Sequence, residues 1–259
     1  MRIVFFGTAG AVPRAGDGNI SFAVREGGAC LLVDASGSPV QNLLRAGLDP
    51  LSLDALALTH SHTDHLYALP SLIHCLWLMK RSKPLTILTN PPTREKAVRL
   101  LEQFGLLEKE GLFPVEWIDA ENRDSDIAAD LRVRLFPVRH SVPTSGLRIE
   151  GGGAACAYTA DTAPAPEVDA AVRGCQALIH EASGDAAGEP SLNAAGHSSA
   201  GQAGQAAARA GVGRLFLCHF DYRSPHRPED LLREARSFFP GEVIIPNLFQ
   251  DYEIRRTRS

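Results

Sequence analysis

Thr59-His60-Ser61-His62-Thr63-Asp64-His65 follows directly on the apolar run Leu56-Ala57-Leu58 and precedes an amphipathic series, Leu66, Leu69, Leu72, Ile73 and Leu76. The pattern predicts a buried strand, a polar loop and a helix. The loop carries three imidazoles and one carboxylate. In extended backbone, residues two apart point the same way, so His60 and His62 can share one metal ion. Asp64 and His65, at the turn into the helix, can face a second ion beside it. A lone histidine is more often a surface or core residue than a ligand, and histidine tracts also occur in tags and disordered segments. This cluster is internal and flanked by apolar elements, so the metal reading prevails. It predicts a metal-dependent hydrolase.

Outward from this loop, strand and helix patterns alternate. Strands are expected over 2–6, 20–25, 30–34, 55–58, 85–88 and 112–118, with helices over 36–46, 65–80 and 93–104. The glycine-rich segment 7–19 between the first two strands lacks the dinucleotide-binding fingerprint, because no regular helix pattern follows it; tight turns lining a pocket are its expected role. An antiparallel run is expected over 131–138, 146–150 and 154–159, then a short helix after Pro166, a strand over 177–180, a helix over 198–210, a strand over 214–218, a helix over 229–238, and strands around Val243 and Tyr252. Both halves share one grammar, sheet first and helices outside. That implies an α/β fold of two packed sheets sandwiched by helices, with loops at one sheet edge carrying the chemistry.

The composition is that of a soluble globular protein: 259 residues, 44% hydrophobic and 22% charged. No linker divides the chain, which reads as one hydrolase domain over 1–259. A net charge of −4 argues against a broad electrostatic footprint for nucleic acid. Cys30, Cys75, Cys156, Cys175 and Cys218 are odd in number, widely spaced and set in apolar context, as reduced core thiols are. The apolar run at 3–6 is too short for a signal sequence, and no segment reaches the ~20 apolar residues of a membrane span. A cytoplasmic protein without membrane contact is expected.

Five further polar residues stand just past apolar strands: His140, Asp161, His180, His197 and His219. Each alone is divided between ligand and structural residue, but their shared strand-end placement favours a common site. In order, Thr-His-x-His-x-Asp-His, His140, Thr159-Ala160-Asp161-Thr162 and Cys218-His219-Phe220 resemble the metallo-β-lactamase superfamily, whose fold is a four-layer αββα sandwich. Phe6-Gly7-Thr8 through Val12-Pro13, His180-Glu181-Ala182-Ser183 and Gly196-His197-Ser198-Ser199 are similar to its ribonuclease Z branch. The resemblance spans nearly the whole chain.

The resemblance implies two zinc ions per chain, one held by His60, His62 and His140, the other by Asp64, His65 and His219, with Asp161 between them. Manganese or iron would also suit such histidine and carboxylate donors. Two such ions lower the pKa of bound water towards about 7. Asp64 is then expected to orient the nucleophile or accept its proton, His197 to act as general acid, and Glu181 to orient His197. The bland alternative for His197 is a neighbour of the helix cap at Ser198 and Ser199. His180 is expected to be structural or supporting, as are His74 and His226, and Asp34 to support the ligands. Arg223 matches an arginine that would face a phosphate, although Asp221, beside it in place of a serine, would repel one. A homodimer is also implied.

One departure bears on substrate. Ribonuclease Z enzymes that mature transfer RNA carry a long projecting arm between the segments matching His140 and Asp161, whereas here residues 141–160 hold only Gly151-Gly152-Gly153, the signature of a hairpin turn. The expected function is therefore a dinuclear zinc phosphodiesterase of ribonuclease Z type acting on a small or flexible phosphodiester or a short RNA end. The alternatives are a hydrolase of carboxylic esters or lactones, a transfer RNA 3′-processing endoribonuclease, and a non-catalytic metal-binding regulatory protein.

Overall fold

The computed structural model describes residues 1–121, 123–128 and 130–256. Its first half runs β1 (Arg2–Ala9), β2 (Gly18–Asn19), β3 (Ser21–Glu26), β4 (Ala29–Val33), α1 (Pro39–Arg45), β5 (Ala55–Ala57), α2 (Thr63–Leu66), α3 (Leu69–Leu78), β6 (Leu85–Thr89), α4 (Pro91–Gln103) and β7 (Val115–Asp119). These strands form a sheet ordered β7-β6-β5-β4-β3-β1 with β2 beside β1, antiparallel between β1, β3 and β4 and parallel from β4 to β7.

The second half repeats the scheme with β8 (Asp124–Ala128), β9 (Leu131–Pro137), β10 (Ser145–Gly151), β11 (Ala154–Tyr158), α5 (Pro166–Val172), β12 (Ala177–Glu181), α6 (Glu189–Ala195), α7 (Ala200–Ala210), β13 (Arg214–Cys218), α8 (Pro228–Phe238) and β14 (Glu242–Ile244). Its sheet runs β8 to β14 in sequence order, antiparallel as far as β11 and parallel beyond. β15 (Asp251–Glu253) returns to pair with β1 of the first sheet. Parallel neighbours need a crossover between them, which is why helices separate the strands of the parallel portions and lie outside each sheet.

Strand periodicity builds the layers. Successive side chains point to opposite faces, and both faces of these sheets are buried. On β1, Ile3 and Phe5 enter the core between the sheets while Val4 and Phe6 face the outer helices; on β13, Phe216 and Cys218 enter the same central core while Leu215 and Leu217 face α5, α7 and α8. Phe22 meets Tyr158 edge to face across the sheets, ring centroids 5.2 Å apart. The outcome is the expected αββα order of layers.

Two local expectations are corrected, and two unforeseen elements are added. The helix expected over 65–80 is two helices: Pro70 sits in the first turn of α3, where its missing N–H costs nothing, but it does not allow the preceding turn to run through, so the chain breaks at Tyr67 and Ala68. β8 and α6 have too few apolar residues to signal themselves; β8 is an edge strand held by Arg132–Asp126 and Arg134–Asp124 pairs, each at 2.7 Å. Cys75 is only partly buried, whereas the other four cysteines are buried and all five are free thiols. Among the described residues no helix is long and apolar enough to cross a membrane.

Candidate metal centre

The site lies where strands of both sheets end on one edge. Asp34 follows β4, the loop 59–65 follows β5, His140 lies beyond β9, Asp161 beyond β11, Glu181 closes β12, and His219 follows β13. Three backbone hydrogen bonds join the sheets here: Phe220 N–H to Thr8 O at 3.1 Å, Gly10 N–H to Phe220 O at 3.0 Å, and Ser145 N–H to Thr59 O at 3.0 Å. Asp34, Ala160 and His219 all adopt left-handed backbone, with φ of 57°, 53° and 57°. For residues with a Cβ this conformation costs about 1–3 kcal/mol each and persists only where surroundings over-determine it. Its gathering at one sheet edge is a mark of a functional site.

The loop brings His60 and His62 together, with His60 Nε2 3.0 Å from His62 Nδ1, and His140 Nε2 lies 3.1 Å from the same His62 atom. Asp64, His65 and His219 form a neighbouring group: Asp64 Oδ2 is 3.4 Å from His65 Nε2 and 3.6 Å from His219 Nε2. One oxygen lies between the groups, Asp161 Oδ2, at 3.1 Å from His219, 3.5 Å from His65, 3.7 Å from His60 and 3.8 Å from His140, measured to each Nε2. His60, His62, His140 and Asp161 can therefore hold one ion, and Asp64, His65 and His219 another.

The far nitrogens fix how these rings face. His65 Nδ1–H donates to Asp34 at 2.8 Å, His140 Nδ1–H to the Gly196 carbonyl at 2.8 Å, and His219 Nδ1–H to Ser183 Oγ at 3.1 Å, while His60 Nδ1 meets Thr59 Oγ1 at 3.0 Å. Asp34 also accepts from the Thr59 N–H at 2.9 Å and from its hydroxyl at 3.0 Å. In the neutral form each of these rings then carries its Nε2 lone pair inward, the arrangement metal-ligating histidines use. His62 differs, turning Nδ1 inward.

The donors fit a cation. Nε2 of His65, Nε2 of His219 and Oδ1 of Asp161 are buried without a hydrogen-bond partner among the described residues. Buried polar atoms are otherwise satisfied, and inward lone pairs repel one another unless positive charge lies between them. The electrostatics of the cluster make the same demand. Burial, with His65 adding to it, pushes the pKa of His60 well below the ordinary value and keeps it in the neutral, ligating form. Burial opposes charge on His219, but Asp161 outweighs it and lifts the imidazole to about 10. Burial likewise opposes ionisation of Asp161, and His219 and His65 outweigh it, holding the carboxyl well below its usual range. The field of the carboxylates favours a cation within the cluster.

His197 stands beside this cluster, its ring 4.9 Å from that of His140 and stacked 5.4 Å from that of His219. Its Nδ1 donates to Glu181, 3.1 and 3.2 Å from the two carboxylate oxygens. Glu181 is fully buried yet satisfied, accepting also from the Thr162 N–H at 2.5 Å and the Ser183 hydroxyl at 2.7 Å. Burial acts to lower the pKa of His197; Glu181 outweighs it, so the imidazole holds its proton above the ordinary range. Ser199 caps α7 with a capping box to Gln202, which places His197 two residues ahead of the N-cap rather than in it. Gly201 and Gly204 bring α7 against α8, where a Cβ at 204 would stand 2.5 Å from the Ala235 carbonyl.

Some expected residues lie outside the cluster. His180 is buried on the other face of β12, donating Nδ1–H to the Glu181 carbonyl at 2.8 Å. His74 lies against Trp77 on α3, ring centroids 5.7 Å apart, and His226 stands 3.3 Å from Asp185. Arg223 is mostly exposed and its guanidinium is taken up by Asp221, Nε to Oδ1 at 2.8 Å and Nη2 to Oδ2 at 2.9 Å, so the carboxylate neutralises the charge expected to face a phosphate. Sequence reading missed Ser183, which links Glu181 to His219, and Gly10 and Gly196. A Cβ on Gly10 would stand 3.0 Å from the His219 ring, and one on Gly196 would stand 2.8 Å from His140. Ser183 and Gly196 lie within motifs that the sequence singles out, and Gly10 lies in the glycine-rich segment 7–19, but none of the three shows locally which ring it meets.

The family model for the Beta-lactamase superfamily domain matches residues 30–220. A curated relative, the ribonuclease Z of Mycobacterium sp. (strain KMS), is 30% identical, with 94% of this chain and 92% of the relative aligned. Among solved structures, the metallo-β-lactamase fold protein YhfI of Bacillus subtilis superposes with a TM-score of 0.81 at 24% identity, covering 97% of this chain and 98% of that one. The short form of human tRNase Z gives 0.78 at 22% identity, covering 98% and 100%.

Proposed function

Because this chain belongs to the metallo-β-lactamase superfamily, on its ribonuclease Z-like branch, we propose that it is a phosphodiesterase working with two metal ions. His60, His62 and His140 would hold one ion and Asp64, His65 and His219 the other, with Asp161 facing both. Zinc suits these donors best, and manganese or iron share the preference. Ions bound there supply an activated water at neutral pH and absorb charge on the phosphate oxygens.

The protein's own groups do the rest. Burial opposes ionisation of Asp64, but the neighbouring His219 and His65 outweigh it and hold its carboxyl well below the usual range, leaving a charged acceptor to orient the attacking water. Glu181 fixes Nδ1–H of His197 and favours the charged ring, the form in which Nε2 carries a proton for the departing oxygen. This His197–Glu181 pair is the observation that carries the reading. A proton donor is what a poor alkoxide leaving group needs, as in an alkyl phosphodiester.

For substrate we favour a small or flexible phosphodiester or a short RNA end. β10 and β11 are joined directly by Gly152 and Gly153, with φ of 58° and 72°, a two-residue turn that leaves no projecting arm between them. A second reading, 3′ processing of precursor transfer RNA, is supported by the ribonuclease Z relatives. Metal-loaded protein is expected to hydrolyse bis(p-nitrophenyl) phosphate, and His62→Ala to abolish that turnover. Identical rates for the two proteins would sink the proposal. Cleavage of a precursor transfer RNA at rates exceeding those on short diesters would favour the second reading.

A further inference from the structure

Tyr67 is an aromatic residue left 44% exposed at the edge of the metal cluster. It closes α2, its N–H donating to Thr63 O at 2.9 Å, and lies three residues beyond Asp64, so the two side chains are neighbours on one side of the turn. Its hydroxyl is held: the Gly37 N–H donates to it at 2.6 Å, and it points to Asn19 Oδ1 at 3.4 Å. Asn19 Nδ2 donates in turn to the carbonyls of Gly10 at 2.6 Å and Ala11 at 3.3 Å. Gly10 lies against the His219 ring, and the same loop carries Val12, 43% exposed. A short chain of contacts therefore ties the tyrosine to the cluster, holding its ring by the hydroxyl while its surface stays open to solvent.

An exposed aromatic with a tethered end loses little freedom when a flat group lands on it. Stacking is also indifferent to which base arrives, because every base presents a π-face. We propose that the Tyr67 ring is the stacking surface for a nucleobase adjoining the scissile phosphate, making nucleotide diesters the preferred substrate class. This rests on the phosphodiesterase reading.

The test uses metal-loaded protein and two diesters with one leaving group, thymidine 5′-(p-nitrophenyl phosphate) and methyl p-nitrophenyl phosphate, which differ in the base. Wild-type protein prefers the thymidine ester. Tyr67→Ala lowers kcat/KM on that ester by roughly 5- to 150-fold, the effect of losing one base–aromatic stack, and leaves the methyl ester within about 2-fold. Tyr67→Phe keeps the ring and with it the preference. Equal losses on both esters from Tyr67→Ala, or no preference in the wild type, overturn the proposal while leaving the phosphodiesterase reading standing. If wild-type protein cleaves neither ester, that reading is the one that fails, and equilibrium binding decides on the ring. Tyr67→Ala then weakens thymidine 5′-monophosphate but not methyl phosphate, and an unchanged ratio of the two affinities overturns the stack.

Discussion

Replacing His197 by alanine separates a proton donor from a structural neighbour of the metal cluster. Glu181 accepts three donors, from Thr162 at 2.5 Å, Ser183 at 2.7 Å and His197 at 3.1 Å, and in His197→Ala it keeps the first two, so folding stability changes little. Loss of a general acid costs about 10²- to 10⁴-fold in rate, equivalent to about 3–5 kcal/mol of barrier, where the leaving group is an alkoxide. A p-nitrophenolate leaves without a proton, and its loss should stay within about 10-fold. Glu181→Gln attacks the same element from behind. One amide oxygen replaces two carboxylate oxygens, leaving at least one buried donor unsatisfied, a cost of about 1–3 kcal/mol in stability.

The pH dependence has a definite sign. Glu181 raises the pKa of His197 against the effect of burial, so the acid form persists above the ordinary imidazole range and activity falls as pH rises through the raised value. Without the carboxylate that alkaline limb moves to lower pH. The assay is kcat/KM against pH for wild type and both variants on an alkyl-leaving dinucleotide and on bis(p-nitrophenyl) phosphate. Equal losses on both substrates from His197→Ala would refute the proton-donor assignment.

Three further outcomes are expected. Asp34→Asn removes the carboxylate that orients His65 at 2.8 Å, so metal affinity, read by competition with a chelator, should fall about 10- to 100-fold; unchanged affinity would remove Asp34 from the support of the site. Gly196→Ala combines a φ of 85° with a Cβ 2.8 Å from His140, so thermal unfolding should report a loss of about 1 kcal/mol or more together with reduced turnover, and an unaltered Tm would contradict the geometry. Tyr158 buries a hydroxyl that has no partner among the described residues. Tyr158→Phe should therefore leave stability unchanged or raise it by up to about 1–3 kcal/mol, and destabilisation by more than about 1 kcal/mol would show that the hydroxyl is satisfied in solution.

Much of this site is legible in sequence because its parts are local. Asp64, His65 and the two alternating histidines share one loop, and His140, Asp161 and His219 each follow an apolar strand whose end can be located from its own composition. The layers are legible for the same reason: Ile3 and Phe5 against Val4 and Phe6 show a strand buried on both faces before any partner is known. Pro70 was equally visible, but a proline in a helical pattern either ends one helix or opens the next, and here it opens α3. Arg223 shows the limit of motif matching, since Asp221 two residues away takes up its charge.

The sequence by itself determined which residue types could hold metal, how the strands alternate, and that a histidine and a glutamate accompany the ligands. Tertiary structure decided that Asp161 Oδ2 lies between the two groups of ligands, that Gly196 and Ser183 set the tautomers of His140 and His219, that Gly10 leaves room for the His219 ring, and that Tyr67 stands open beside them. The physical reason is distance along the chain. Each of these relations except that of Tyr67 to Asp64 joins segments from different strands and loops, and their mutual placement follows from sheet register and crossover packing rather than from any local pattern.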